Sequence, residues 1–202
     1  QVRASNVLGA GQVSASSTTA TPYGAPFPVT SATATGSTNG SGDVILSWGG
    51  ASGNGRAITG YRIVVTPGGA TYDVGNVTTT TVPGRVGTAY GYTITTLGPG
   101  GQSSAFTSTG TGTPAPGAPS VSANWPGPRG TTTVNVTWTA AASTEPIAGY
   151  EVSINNGGWI DVGTATSYSF DGQFDTGYTA RVRATSAGIT GPAGVSNTVT
   201  PL

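Results

Sequence analysis

The sequence contains no cysteine, histidine, methionine or lysine, and all seven of its basic residues are arginines. Without cysteine there can be no disulfide framework and no thiolate nucleophile. Without histidine or cysteine, the ordinary zinc sites and the Ser–His and Cys–His nucleophile pairs are also excluded. These absences remove the commonest routes to catalysis and to metal binding.

Charge is scarce as well. Seven acidic and seven basic residues in 202 give a formal net charge of zero, and the arginines form no basic cluster. This balance argues against nucleic acids and anionic membranes as partners. No apolar run approaches the roughly 20 residues that a membrane-spanning helix needs. Gly (34) and Pro (14) are abundant, but low charge and short alternating apolar runs favour a folded all-β chain over a disordered one.

The chain repeats itself with a period of about 90 residues, which indicates a duplication. Short alternating runs carry an aromatic residue at matching places in both halves, and Thr-Pro closes each unit. The aromatic pairs, which we predict to be structural core residues, are Trp48 and Trp138, Tyr61 and Tyr150, and Tyr90 and Tyr178.

Turn signals at intervals of about 8–12 residues separate these runs, as in a β-sandwich. We predict two consecutive sandwiches, at residues 22–113 and 114–202. The strands of the first are predicted near 27–34, 42–48, 57–66, 70–75, 77–82, 88–97 and 102–111. Those of the second are predicted near 119–124, 131–138, 147–155, 158–162, 166–170, 177–186 and 194–200.

The pattern resembles the fibronectin type III family, an immunoglobulin-like β-sandwich. That family has a Trp at the end of its second strand, as at Trp48 and Trp138, and a Tyr early in its third, as at Tyr61 and Tyr150. Its sixth strand begins with a Tyr, as at Tyr90 and Tyr178. The chain departs from the family at Gly84 and Gly172, where the family usually has Leu.

Residues 1–21 resemble the end of such a module. Val2-Arg3-Ala4-Ser5 is similar to Val182-Arg183-Ala184-Thr185, and Thr21-Pro22 repeats the unit ending. We expect this segment to be the last two strands of a preceding, truncated module. The alternative is an unrelated disordered tail. The Pro-rich joints predict a semi-rigid rod, with Gly24 and Gly117 as the places for bending.

No residue cluster predicts chemistry. A general acid–base pair needs two carboxylates facing one cleft, whereas the seven acidic residues are scattered. Calcium needs several oxygen ligands at fixed spacing, and no such motif is present. We expect no catalytic residue, no metal site, no cofactor and no enzymatic activity.

Seven residues are candidates for partner contact, and each also has a structural reading. Trp125 and Arg129 lie on a Pro-stiffened loop, where Trp and Arg suit an interface, but Trp125 could instead cover the module junction or the bottom of the sandwich. Trp159 is either a half-buried lid on the fourth strand or a ligand contact. Asn54 and Arg56 lie in a loop at one end of the first sandwich, where Asn-Gly also simply makes a turn.

Arg181 and Arg183 alternate with the core-facing Val182, so both should point to solvent. Glu151, beside the core-facing Tyr150, should face the same way from the neighbouring strand. The structural reading is a cross-strand ion pair, and the functional reading is a charged binding face.

We expect a non-catalytic, extracellular or cell-surface module array for adhesion, display or protein–protein recognition. Its low charge and lack of Lys and Cys resemble fibronectin type III repeats of bacterial surface proteins, actinobacterial and possibly bifidobacterial. One alternative is binding of a soluble host protein, such as a cytokine, at the module junction. Another is a spacer in a secreted polysaccharide-degrading enzyme, with carbohydrate contact through Trp125, Trp159 or Tyr72.

Overall fold

The computed structural model describes residues 1–202, and all of its regular elements are β-strands. Accordingly, no helix in it could span a membrane. In chain order the strands are β1 (Ser5–Asn6), β2 (Gly9–Ala10), β3 (Ser31–Gly36), β4 (Val44–Gly49), β5 (Gly60–Thr66), β6 (Thr71–Val74), β7 (Thr79–Val82), β8 (Gly91–Gly98), β9 (Gly101–Gln102), β10 (Phe106–Thr107), β11 (Val121–Asn124), β12 (Thr133–Trp138), β13 (Ile147–Ile154), β14 (Ile160–Asp161), β15 (Ser167–Asp171), β16 (Ala180–Ser186), β17 (Ile189–Thr190) and β18 (Gly194–Val195).

Strands β3–β10 and β11–β18 form two sandwiches with the same antiparallel topology. In the first sandwich, the order β3-β4-β7 makes one sheet and β10-β8-β5-β6 the other, with β9 also paired to β8. In the second, the sheets are β11-β12-β15 and β14-β13-β16-β17, with β18 also paired to β16. The predicted fold class, two consecutive fibronectin type III-like sandwiches, is therefore confirmed.

The alternating apolar residues of each half form a separate core. Trp48 is 5% exposed and Trp138 is 6% exposed. Trp48 meets Tyr61 edge to face at 5.3 Å between ring centroids, and Trp138 meets Tyr150 in the same way at 5.7 Å. Such pairs add stabilisation to the burial of apolar area.

The glycines that depart from the family pattern make room for the tyrosines that follow them. The Tyr90 hydroxyl accepts a hydrogen bond from the Arg85 N–H at 3.0 Å, and Tyr178 does the same for Gln173 at 2.8 Å. A Cβ at Gly84 would lie 2.6 Å from the Tyr90 ring, and one at Gly172 would lie 2.5 Å from the Tyr178 ring. Any larger side chain there would displace the ring, which accounts for the missing Leu.

The predicted last strand of each sandwich, at 102–111 and 194–200, is wrong as a continuous element. Only short pieces pair, because serine side chains replace part of the ladder. The Ser103 hydroxyl accepts from the Thr96 N–H, and the Ser196 hydroxyl accepts from the Ala180 N–H, both at 2.9 Å. The first strand also begins later than predicted, since Phe27 makes only an isolated bridge to Ser52 before Pro28 interrupts the pairing.

Residues 1–14 form a hairpin that makes no hydrogen bond to either sandwich. The Gly11 N–H donates to the Ala4 carbonyl at 2.8 Å. The same bond, also between residues seven positions apart, joins residues 96 and 103 in the first sandwich and residues 184 and 191 in the second. The apolar side chains of the hairpin at residues 1–14 are exposed, with Val7 at 102% and Leu8 at 93%.

The two sandwiches are joined by hydrogen bonds as well as by the connecting chain. The Val86 N–H donates to Thr144 Oγ1 at 2.8 Å across the joint. The connecting chain is itself held at both ends, since the Ala115 N–H donates to the Ser37 carbonyl of the first sandwich and the Gly117 N–H donates to the Ala142 carbonyl of the second, both at 2.8 Å. Arg85 Nη1 forms an ion pair with Glu145 Oε1 at 2.9 Å. Gly117 is thus fixed between the sandwiches, which differs from its prediction as a place for bending.

Two glycines allow the close approach at this joint. Gly40 has φ +81°, and a Cβ there would lie 2.0 Å from the Ala142 carbonyl oxygen. Gly87 has φ +79°, and a Cβ there would lie 2.4 Å from the Ala187 Cβ. Two loop glycines of the first sandwich therefore allow loops of the second sandwich to pack closely against it.

Candidate functional site

The outward side of the larger sheet in the second sandwich carries two arginines, a glutamate and a tryptophan in contact with one another. On β13 and β16 the inward-facing residues Val152, Val182 and Ala184 are fully buried. The residues between them therefore point outward. We call this surface the Trp159 face and define it by Glu151, Trp159, Arg181 and Arg183.

Arg183 is held on two sides. Glu151 and Arg183 are directly opposite in the β13–β16 register, and Arg183 Nε lies 2.8 Å from Glu151 Oε2. The Arg183 Cζ lies 4.0 Å from the centroid of the Trp159 ring. The predicted cross-strand ion pair is confirmed for Arg183. Because its two side chains are still about 30% exposed, the pair should contribute under about 1 kcal/mol to stability.

Arg181 is held differently, because no carboxylate lies within ion-pair distance of it. Its Nη1 donates to Asn156 Oδ1 at 3.2 Å, and its Cζ lies 5.7 Å from the Trp159 ring centroid. The two arginines thus share one indole ring, and only one of them is neutralised by an acid. Arginine–aromatic contacts of this kind are worth about 0.5–1 kcal/mol at exposed sites.

Two open pockets flank this pair of arginines. One, of about 490 Å³, is lined by Asn155, Asn156, Thr179, Arg181 and Val195. The other, of about 400 Å³, contains both Glu151 and Asp161 in its lining. The Trp159 face is therefore basic at one end and acidic at the other, an arrangement that can orient a charged partner.

The turn between β13 and β14 builds one wall of the basic pocket. Asn155 and Asn156 have φ +49° and +60°, a left-handed conformation that Asn tolerates better than most residues. Asn155 Nδ2 donates to the Gly177 carbonyl at 3.1 Å, and Asn155 Oδ1 accepts from the Thr179 N–H at 2.8 Å. In the sequence, Asn156-Gly157 is typical of a turn, and nothing in the pattern indicates that the turn lines a pocket.

The corresponding face of the first sandwich is different. Arg62 pairs with Asp73 through two hydrogen bonds of 2.8 and 2.7 Å. The hydrogen bond from Arg62 is the main reason why the pKa of Asp73 is lowered. The β8 residues opposite this strand are threonines, Thr93 and Thr95. This face has no arginine–tryptophan stack.

The remaining predicted contact residues lie away from the Trp159 face. The Trp125 indole N–H donates to the Thr131 carbonyl at 2.9 Å, and its ring lies against Gly127, so this tryptophan packs within its own loop. Arg129, on the same loop, is exposed.

The Arg56 guanidinium lies 5.4 Å from the Tyr23 ring centroid, and the Asn54 carbonyl accepts a hydrogen bond from the Gly24 N–H at 3.1 Å. Those two residues therefore hold the chain that enters the first sandwich.

No group of three or more acidic residues lies close enough together to hold a metal ion. The two largest pockets are open surface depressions. The groups that this surface offers for non-covalent contact are a stacked tryptophan, two arginines and amide groups.

No protein-family model matches the sequence, and no curated protein matches it. Solved structures do match. A segment of two fibronectin type III domains from chicken tenascin is 17% identical, with a TM-score of 0.53, over 87% of this chain and 98% of that one. The FN1–FN3 domains of chicken contactin 1 (CNTN1) are also 17% identical, with a TM-score of 0.44, over 98% of this chain and 73% of that one. The tenascin match shows a shared tandem fold.

Proposed function

We propose that this chain is a non-catalytic extracellular array that displays the Trp159 face to a protein partner. The observation that carries the proposal is the stack of Arg183 on Trp159 at 4.0 Å beside Arg181, on a sheet face that is not needed for the core. Tryptophan and arginine are among the residues most enriched at the energetic centres of protein interfaces. Tandem domains of this fold typically serve as interaction or spacer modules.

The joint supports a display role. Hydrogen bonds, an ion pair and fitted glycine contacts connect the two sandwiches, so the second sandwich is carried in a defined orientation. We assign residues 22–113 and 114–202 to the two modules. Residues 1–21 are assigned to the last hairpin of a preceding module, since they share the seven-residue hydrogen bond of the other two hairpins. A bacterial surface is the setting that the composition favours.

The test is surface plasmon resonance with the full chain immobilised against a panel of soluble extracellular proteins that includes cytokines. Trp159→Ala should weaken binding of any positive partner by about 2 kcal/mol or more, roughly thirtyfold. The matched control is Trp125→Ala, which removes a half-buried tryptophan from another surface and should leave affinity unchanged.

Three outcomes would contradict this function. One is the absence of any binding partner, and another is loss of binding in Trp125→Ala but not in Trp159→Ala. The third is retention on insoluble polysaccharide without protein binding, which would favour the spacer of a polysaccharide-degrading enzyme. The three aromatic residues considered for carbohydrate contact do not form one row, since Tyr72 packs against the first core and Trp125 within its loop.

A further inference from the structure

We propose that the basic pocket of the Trp159 face is a binding site for a carboxylate, supplied by an acidic side chain in the partner protein. This inference deepens the proposed function and rests on it. The site is the pocket of about 490 Å³ lined by Asn155, Asn156, Thr179, Arg181 and Val195.

Arg181 is the cation that makes the pocket selective for an anion. A guanidinium has five N–H donors, and in this structure Arg181 uses one of its nitrogens, in the bond to Asn156 Oδ1. All three ion pairs of the chain involve other arginines, namely Arg62, Arg85 and Arg183. Arg181 therefore retains both its charge and most of its donors for a ligand.

The guanidinium is also held in place before a ligand arrives. Asn156 binds one end of it, and the Trp159 ring, itself covered by Arg183, lies 5.7 Å from its Cζ. The turn that carries Asn156 is fixed in turn by the two hydrogen bonds of the Asn155 side chain to residues 177 and 179. Fixing the binding group in advance lowers the entropy cost of binding.

The composition of the pocket favours a carboxylate over a phosphate. The planar fork of an arginine matches a carboxylate through two parallel hydrogen bonds. A phosphate dianion would need a second free cation, and the neighbouring Arg183 is already neutralised by Glu151. Val195, which is 57% exposed in the pocket lining, offers an apolar contact for the short stem of a Glu or Asp side chain.

The experiment is a titration of the full ¹⁵N-labelled chain with acetyl-glycyl-glutamyl-glycinamide, followed by NMR at the Arg181 Nε–H signal. We expect a saturable shift of this signal with the glutamyl peptide and none with the glutaminyl analogue. Arg181→Gln should weaken binding, read from backbone signals of Thr179 and Val195, by at least about tenfold. Arg129→Gln, which removes an exposed arginine elsewhere, should leave it unchanged.

Arg181→Lys keeps the charge but loses the fork, so we expect it to bind more weakly than the wild type and more tightly than Arg181→Gln. The proposal is overturned if the glutamyl and glutaminyl peptides bind equally. It is also overturned if Arg129→Gln loses as much affinity as Arg181→Gln, or if glucuronic acid binds and the glutamyl peptide does not. If Trp159→Ala abolishes partner binding while Arg181→Gln has no effect, the carboxylate site is refuted, whereas the proposed binding role of the Trp159 face is supported.

Discussion

Tyr92 makes the stability of the first sandwich sensitive to alkaline pH. Its side chain is 1% exposed, and its hydroxyl donates to the Ser47 carbonyl at 2.6 Å. Burial, only partly offset by backbone hydrogen bonds, raises the pKa of Tyr92 from 10.0 to about 12. The unfolded chain therefore releases this proton at lower pH than the folded chain does. The stabilisation is complete below pH 10 and is lost as the pH rises from about 10 to 12.

The magnitude follows from the two pKa values. A difference of about two pKa units corresponds to about 2.7 kcal/mol in full, of which about 1.4 kcal/mol should be lost by pH 11. The assay is urea unfolding between pH 8 and pH 11, followed by tryptophan fluorescence. Only the first sandwich should respond in this way. Thr96 and Ala184 occupy equivalent positions in the two sandwiches, because each accepts the hydrogen bond from a residue seven positions later. Four positions before them stand Tyr92 in the first sandwich and Ala180 in the second, and alanine does not titrate.

The matched variant is Tyr92→Phe, which keeps the ring and removes the titrating group. It should cost about 1 kcal/mol at neutral pH through the lost hydrogen bond, and its first-sandwich stability should then lack the 1.4 kcal/mol alkaline loss. If Tyr92→Phe loses as much free energy between pH 8 and pH 11 as the wild type, the reasoning is refuted.

Three further predictions concern the second core and the joint. Trp138→Ala should lower the free energy of unfolding of the second sandwich by about 3–5 kcal/mol, measured by urea unfolding, and a cost below about 1 kcal/mol would contradict its core role. Thr144→Val removes the acceptor for the Val86 N–H and should lower the free energy of unfolding by about 1 kcal/mol or more. Thr144→Ser keeps the hydroxyl and should be nearly neutral. Equal losses in the two variants, measured by urea unfolding, would refute the contribution of this hydrogen bond. Gly40→Ala and Gly110→Ala should both introduce left-handed strain, since φ is +81° and +76°. Only Gly40→Ala should also loosen the joint, because a Cβ at Gly40 would meet Ala142, whereas Gly110 has open space around it. Small-angle X-ray scattering should therefore show a change in overall shape for Gly40→Ala alone, and the same change in both variants would contradict this.

The architecture could be predicted from the sequence because the repeated aromatic residues are core residues in both sandwiches. A tryptophan that closes an alternating run can be buried only if the run faces another layer, and Trp48 and Trp138 both do so. The last strands were harder to predict, since the Ser103 and Ser196 hydroxyls take part in hydrogen bonding that a continuous ladder would otherwise provide. Nothing in the alternation of apolar residues signals such a replacement.

The Trp159 face was only partly predictable. Alternation alone placed Arg181, Arg183 and Glu151 on the same outward side. The position of Trp159 over Arg183 depends on the turn at Asn155 and Asn156, whose left-handed backbone returns the chain across the sheet. The joint was not predictable either, because the contacts of Gly40 with Ala142 and Gly87 with Ala187 connect residues about 100 positions apart.

If the contacts at the joint hold the two sandwiches as one unit, the Trp159 face keeps a fixed orientation relative to the first sandwich. Residual dipolar couplings measured on both sandwiches of the full chain test this most directly. The contacts of Val86 with Thr144 and of Arg85 with Glu145 predict a single alignment tensor that fits the couplings of both halves. Two tensors of clearly different magnitude would show independent motion and would contradict the claim.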